Sequence, residues 1–356
     1  MLRPAQLLRI DTIASHITEN PATLTVVLCI AWILPGLIGH DPWKPDEAYT
    51  FGVVYQLLQD GNWIVPSLAG EPYLEKPPLI YLSAALTALV FSPILPLHDG
   101  ARIATGFYIA LTFLFIALTA KELYGRDKGW VATLMLLGCG GLLLRGHQLA
   151  ADTALLAGLA MGLYALAMAA RRPLLSGLWL GTGLGVCVLS SGLVEPVMLL
   201  LTMAMLPIVS PHWRTRRYAM CVALAVPVAL PWVIVWPLLL EARSPDLFAD
   251  WYWVENIARL KGLLEFTPGE NHFFYLKVLP WFAWPAWPFA LWGLWAQGRA
   301  GLRNPAIVLP VSALATFLLL LSLTGDGRDI YGMPVLLPIS LLAVVSFETL
   351  QRGAAN

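Results

Sequence analysis

The sequence predicts an all-α integral membrane protein with about ten transmembrane helices, and three observations predict it. Hydrophobic residues fill 58% of the 356 positions and charged residues only 12%, against roughly 45–50% and ~25% in soluble domains. The mean hydropathy is +0.70. Ten apolar stretches have the length a bilayer requires, and the cations between them are segregated to one side. A soluble fold of this length cannot bury so much apolar surface. A soluble enzyme, a nucleic-acid binder and a disordered chain are therefore excluded.

A spanning helix needs roughly 17–25 mostly apolar residues. The first run, Ala22–His40, is long enough to span and lacks a small-residue cleavage site, so it is read as an uncleaved first span. Next come Arg102–Ala120, Gly129–Arg145, Asp152–Ala170, Leu174–Ser190 and Leu193–Val209. The last four are Tyr218–Leu240, Phe274–Ala296, Pro305–Thr324 and Tyr331–Phe347. An eleventh run, Leu79–Leu97, is long enough but carries Pro93 and Pro96 near its end.

The enrichment of Lys and Arg in cytoplasmic loops resolves the ambiguity. With a cytoplasmic N-terminus and no crossing by Leu79–Leu97, the inner segments hold 13 of the 22 Lys and Arg but 5 of the 22 acids. A crossing there would move Arg171, Arg172 and the Trp213–Arg217 loop outside. Leu79–Leu97 is accordingly expected to be an interfacial or half-embedded helix. Residues 1–348 form one transmembrane domain and 349–356 a cytoplasmic tail. Two long outer loops result, 41–100 and 241–273, and the carboxylates collect there. The chemistry is expected to face the exterior or periplasm.

Cys29, Cys139, Cys187 and Cys221 all lie in apolar runs without metal-like spacing and read as small buried hydrophobes. Gly181-Thr-Gly-Leu-Gly185 has the look of a dinucleotide loop but sits inside a span with no strand before it. Small residues four apart, there and at Gly158/Gly162, fit close helix approach instead.

The first outer loop is the richest in chemistry. Asp46 and Glu47 follow Pro45 where a helical pattern starts. Capping explains one carboxylate there. It does not explain a second, nor Glu75-Lys76 beside Pro77-Pro78 where the chain re-enters the interface. Charge against apolar surface is costly unless it has a partner or a role. The ordered pieces Asp46-Glu47-Ala48, Asp60-Gly61-Asn62-Trp63-Ile64-Val65-Pro66 and Gly70-Glu71-Pro72-Tyr73-Leu74-Glu75-Lys76-Pro77-Pro78-Leu79 resemble one family at family-like spacing. It is the GT-C superfamily of membrane glycosyltransferases, which holds the lipid A aminoarabinose transferase and, more distantly, the protein O-mannosyltransferases.

The resemblance implies a GT-C-like fold with interfacial helices in the first outer loop. It implies inverting transfer of a sugar from a polyprenyl-phosphate donor to a lipid, glycan or protein acceptor, at the outer face of a bacterial inner membrane. It assigns Asp46 to activating the acceptor, Lys76 to the donor phosphate, and Glu47 and Tyr73 to substrate contact. Asp152 matches the second carboxylate. Glu75, Asp152 and His272 match a carboxylate, carboxylate and imidazole set for a divalent metal, Zn or Mg/Mn. Lys277 and Tyr331 match donor-phosphate positions, and Arg328 is near enough in sequence to join them. Two places depart from the family: Tyr49-Thr50 replaces Arg-Tyr, and Ser191-Gly192 replaces Lys-Gly, each losing a positive charge.

The chemistry suits these residue types. Transfer needs a base for the acceptor hydroxyl and electrostatic help for the departing phosphate. Plain alternatives stand beside these assignments. Asp152 opens a span and equally reads as a cap. Arg145 and His147 allow a polar cluster with it, His147 as support. Arg328 between Asp326 and Asp329 equally reads as a surface salt bridge. Trp281, Trp284 and Trp287 read as an interfacial belt, while Trp251 and Trp253 are better placed for an acceptor. Glu195 before Pro196 is an intramembrane acid without an assigned role. A transporter or flippase for a lipid-linked saccharide is the alternative. It would hide its charges in broken spans at the midplane and show internal repeats; here the acids cluster in the outer loops and no repeat appears, which favours the enzyme.

Overall fold

A computed structural model describes residues 20–43, 45–262, 272–301, 303–324 and 327–354. Among these the protein is helical apart from one two-stranded ribbon. Helix α1 spans Pro21–Ile33, with Pro21 at its first position and Asn20 capping the Ala22 and Thr23 amides. After α2 (Asp46–Asp60) come strands β1 (Ser67–Leu68) and β2 (Glu71–Pro72), then α3 (Leu79–Phe91) and α4 (Leu97–Tyr124). The ribbon is antiparallel. Its two-residue turn places Ala69 and Gly70 at φ 54° and 88°, the paired left-handed geometry that suits a strand twist.

The chain continues through α5 (Gly129–Leu137), α6 (Gly140–Arg145), α7 (Ala151–Met168), α8 (Pro173–Ser191), α9 (Val197–Val209) and α10 (Arg216–Arg243). Short helices α11 (Pro245–Ala249) and α12 (Arg259–Gly262) flank a π-helical segment, Asp250–Ala258. Helices α13 (Phe274–Phe282), α14 (Ala286–Gly301), α15 (Pro305–Thr324) and α16 (Met333–Ala354) complete the bundle, a 3-10 turn at Asp329–Gly332 leading into the last.

This is a multi-pass membrane protein. Among the described residues, six segments are long and apolar enough to cross a bilayer: α4, α7, α8, α10, α15 and Asp329–Phe347. The expected spans at α1 and α9 are shorter, 13 residues each, or about 20 Å against a ~30 Å hydrocarbon core. The expected interfacial helix, α3, has the same 13 residues. Two other expected spans are broken. Gly129–Arg145 divides at Gly138–Cys139, and Phe274–Ala296 divides at Ala283–Pro285. Hydropathy runs through both breaks, so composition conceals them. The breaks face each other: the Gly140 amide donates to the Trp284 carbonyl at 3.0 Å, so each interruption supplies a partner the other needs.

Helix α7 is the hub, with 89% of its apolar window buried, whereas α10 has 17% and turns its apolar side outward. The small-residue stripes serve the contact between α7 and α8. A Cβ on Gly183 would come within 2.7 Å of the Gly158 carbonyl, and one on Gly158 within 2.8 Å of Gly183. The four cysteines are free thiols.

One polar cluster ties together the starts of α2 and α4 and the approach to α7. Arg102 on α4 is 1% exposed and donates from Nε to Glu47 Oε1 at 2.5 Å and from Nη1 to Asp99 Oδ1 at 2.6 Å. Glu47 also accepts from the backbone amides of Trp43 at 2.9 Å and Leu149 at 3.1 Å, while Asp99 accepts from Gly39 at 3.1 Å. The start of α2, the start of α4 and the approach to α7 are thus tied through two buried carboxylates and one guanidinium. Glu47, expected at the substrate, is engaged in this clamp, its side chain 1% exposed.

Candidate active site

The clamp sets the flanking residues. Asp46, the neighbour of Glu47, and Asp152, three residues after Leu149, both face a cavity of about 230 Å³. Four pieces of chain build its wall. The first turn of α2 supplies Asp46, Tyr49 and Thr50; the stretch after the ribbon supplies Tyr73, Glu75 and Lys76; α7 supplies Asp152; and the final 3-10 turn supplies Arg328 and Tyr331. Asp46 lies in the first turn of α2 but provides no side-chain cap. Its Oδ1 is instead 3.8 Å from Arg328 Nη2. Asp152 likewise makes no cap to α7, whose N-cap is Ala150.

The Pro77-Pro78 pair ends the extended segment and starts α3, and successive side chains before it part company. Glu75 is exposed toward the mouth, where Tyr73 donates its hydroxyl to Glu75 Oε2 at 2.7 Å. Burial and then this bond hold the Tyr73 hydroxyl well above the ordinary tyrosine range. Lys76 turns inward, 9% exposed. Its Nζ has no hydrogen-bond partner among the described residues. It lies 5.2 Å from the Tyr331 ring centroid and 3.8 Å from Glu195 Oε1. Burial opposes its charge, but the Glu195 and Asp152 carboxylates outweigh that cost and hold the ammonium above its ordinary range.

A narrow crevice shares Asp152 and Tyr331 with the cavity and is otherwise mostly apolar, with Glu195 and Arg259 on its wall. Arg259 Nη2 is 3.3 Å from Glu195 Oε1. The 3-10 turn is held from behind by Arg145, whose Nη2 and Nε donate to Asp329 Oδ1 and Oδ2 at 2.7 and 3.2 Å. The cavity therefore joins Glu75, Asp46 and Arg328 on its more exposed side to the buried Asp152 and Lys76, beyond which it passes into mostly apolar surface.

Comparison with known proteins places this arrangement. The undecaprenyl phosphate-α-4-amino-4-deoxy-L-arabinose arabinosyl transferase of Pseudomonas paraeruginosa is 31% identical over 330 residues, covering 90% of this chain and 58% of that protein. The chain is a homologue of the aminoarabinose transferases. It spans about three-fifths of the length of these relatives. No protein-family model matches it. The aminoarabinose transferase of Cupriavidus metallidurans, solved bound to undecaprenyl phosphate, superposes with a TM-score of 0.79 at 20% identity over 92% of this chain and 60% of that one. An oligosaccharyltransferase from Archaeoglobus fulgidus, solved with zinc and sulfate, superposes with a TM-score of 0.58 at 11% identity, covering 94% of this chain and 49% of that one. The fold is theirs.

Of the residues that the aminoarabinose transferase resemblance singles out, Asp46, Tyr73, Glu75, Lys76, Asp152, Arg328 and Tyr331 line this one cavity. Lys277 does not. It is exposed on α13 and lines neither the cavity nor the crevice. His272 is turned aside, its Nδ1 2.7 Å from the Ser322 carbonyl. Glu75, Asp152 and His272 accordingly do not converge, and the described residues contain no group of three His, Cys, Asp or Glu side chains able to hold a metal ion. The donor set present does not fit the expected three-ligand site. Two carboxylates remain on one wall, with a buried ammonium between their sequence positions.

Other sequence readings resolve as follows. Asp329 pairs with Arg145, not with Arg328, whose guanidinium meets Asp46; Asp326 lies outside the described residues. Arg145 is thereby removed from any cluster with Asp152. His147 supports α1, its Nε2 2.8 Å from the Trp32 carbonyl and its ring 4.0 Å from the Trp32 ring. Trp251 is buried edge-on against Trp236, while Trp253 is exposed. Glu195 and Arg259 join the inner wall through contacts 64 residues apart in sequence, a distance over which no local pattern carries the pairing.

Proposed function

We propose that this chain is an inverting glycosyltransferase that moves a sugar from a polyprenyl-phosphate donor to an acceptor at the outer face of the bacterial inner membrane. The reading includes ten crossings with both ends cytoplasmic, α3 lying at the interface, and one transmembrane domain through residue 348. The aminoarabinose transferases are its model for donor class; an aminopentose on a lipid A-like acceptor is the first substrate pair to try.

A single observation carries the reading: the buried, under-bonded ammonium of Lys76 on the inner wall of a cavity whose mouth holds Asp46. In the reaction the Asp46 carboxylate takes the acceptor hydroxyl proton. The acceptor oxygen bonds to the anomeric carbon, and the bond from that carbon to the phosphate oxygen breaks. The electron pair leaves with the polyprenyl phosphate. Lys76 and Arg328 stabilise that anion where the dielectric is lower than in water, and Tyr331 walls the phosphate from the lipid side. Asp152 keeps Lys76 charged and aimed. No step passes through a metal.

Lys76→Met tests the assignment. It keeps the apolar stem and removes the charge. We expect binding of undecaprenyl phosphate by the purified full chain to weaken by about a hundredfold, the scale of a charge-assisted contact in a desolvated site. Unchanged binding overturns the reading. In parallel, stripping divalent metal from the protein is expected to leave transfer in membranes unchanged, because cationic side chains supply the charge. Loss of transfer that returns with metal would restore Glu75 and Asp152 as ligands.

A further inference from the structure

The proposed mechanism gives no role to Glu195. Glu195 sits immediately before Pro196, at the start of α9, with its side chain 14% exposed. Its Oε1 faces Arg259 at 3.3 Å and Lys76 at 3.8 Å. Its Oε2 and the Lys76 ammonium are both buried without a hydrogen-bond partner among the described residues. The N-terminal end of α9 favours a negative charge there, yet the pairing with Lys76 is too long to be a hydrogen bond. A carboxylate and an ammonium that neutralise each other while leaving each other unsatisfied form a holding arrangement. Phosphate oxygens could complete the ammonium's bonding, and they would then share that ammonium with a resident anion.

We propose that Glu195 is a positioning residue that Arg259 holds beside Lys76 between turnovers and that competes with the polyprenyl phosphate product for the Lys76 ammonium, so that the product leaves. This rests on the transferase reading above. Two anions sharing an ammonium across several ångströms repel appreciably in a medium of intermediate dielectric. The competing role therefore has a signature that mere neutralisation lacks. A group present only to balance buried cations would, once removed, weaken the site. A competitor, once removed, tightens it.

The test is equilibrium and kinetic binding of undecaprenyl phosphate to the full-length protein in lipid nanodiscs, with thermal unfolding recorded alongside. Glu195→Gln is expected to bind about tenfold tighter and to release the lipid correspondingly slower. Glu195→Asp withdraws the carboxylate by one methylene but keeps it, and is expected to fall between Glu195→Gln and the parent protein. It also serves if the glutamine variant does not fold. Weaker or unchanged binding by both variants, with Lys76→Met still losing the lipid, overturns the proposal and leaves the transferase reading in place. Equal binding by the parent protein and Lys76→Met removes the reading itself, and this proposal with it.

Discussion

Asp46→Asn should abolish sugar transfer while leaving the protein abundant in membranes and able to bind undecaprenyl phosphate. The side chain does little structurally. Among the described residues it caps nothing, and its ion pair to Arg328 at 3.8 Å is partly exposed on both sides, the kind of pair that contributes about 0–1 kcal/mol. Asparagine keeps its shape and removes its basicity. A positioned base contributes roughly 10²–10⁴-fold to rate, so transfer in membranes should fall by at least about a hundredfold. Asp152→Asn gives the contrast. Asp152 acts on Lys76, so its loss should appear first as weaker donor binding. If Asp46→Asn transfers sugar at the parent rate, the base lies elsewhere, and Asp152 becomes the next candidate.

Residues adjacent in sequence betray their chemistry when backbone rules separate them in space. Glu75 and Lys76 are legible because a run of prolines at a membrane boundary carries charge for no packing reason, and the extended segment sends one outward and one inward. Asp46 is legible because a cap accounts for only one of two carboxylates. The same logic does not reveal the clamp that engages Glu47. Nothing local distinguishes it from Asp46, and its partner Arg102 lies 55 residues away on another helix. The i, i+3 spacing of Asp99 and Arg102 was the available hint, but it points to a local pair, not to a buried three-way clamp. Lys277 and His272 lie apart from the cavity for a different reason. Their assignment followed position along the chain, while the direction of a side chain on α13 or beside Ser322 depends on packing. Hydropathy located the helical mass but ran straight through the breaks at Gly138–Cys139 and Ala283–Pro285, since a kink changes which carbonyls need partners and not how apolar the residues are.

The clamp itself supplies the sharpest stability test. In Arg102→Met, Glu47 and Asp99 would remain buried with their cation gone. Removing one partner from a buried ionic cluster costs about 3–5 kcal/mol, a large share of the roughly 5–15 kcal/mol that holds a typical domain together. We expect the variant to be recovered from membranes in greatly reduced amount and to melt well below the parent protein in detergent. Arg102→Lys should fall between them. It restores the charge, but an ammonium cannot reproduce the planar fork that reaches Glu47 from Nε and Asp99 from Nη1. The Trp43 and Leu149 amides would still be bonded to Glu47, so the lysine variant should fold with Asp46 and Asp152 less firmly set against each other. That predicts a second effect: Arg102→Lys should lose transfer out of proportion to its modest loss of stability, because the cluster positions both sides of the cavity. Parent-like yield and melting of Arg102→Met would show that the clamp does not hold these helix starts together, and the common origin of the two carboxylates' placement would fall with it.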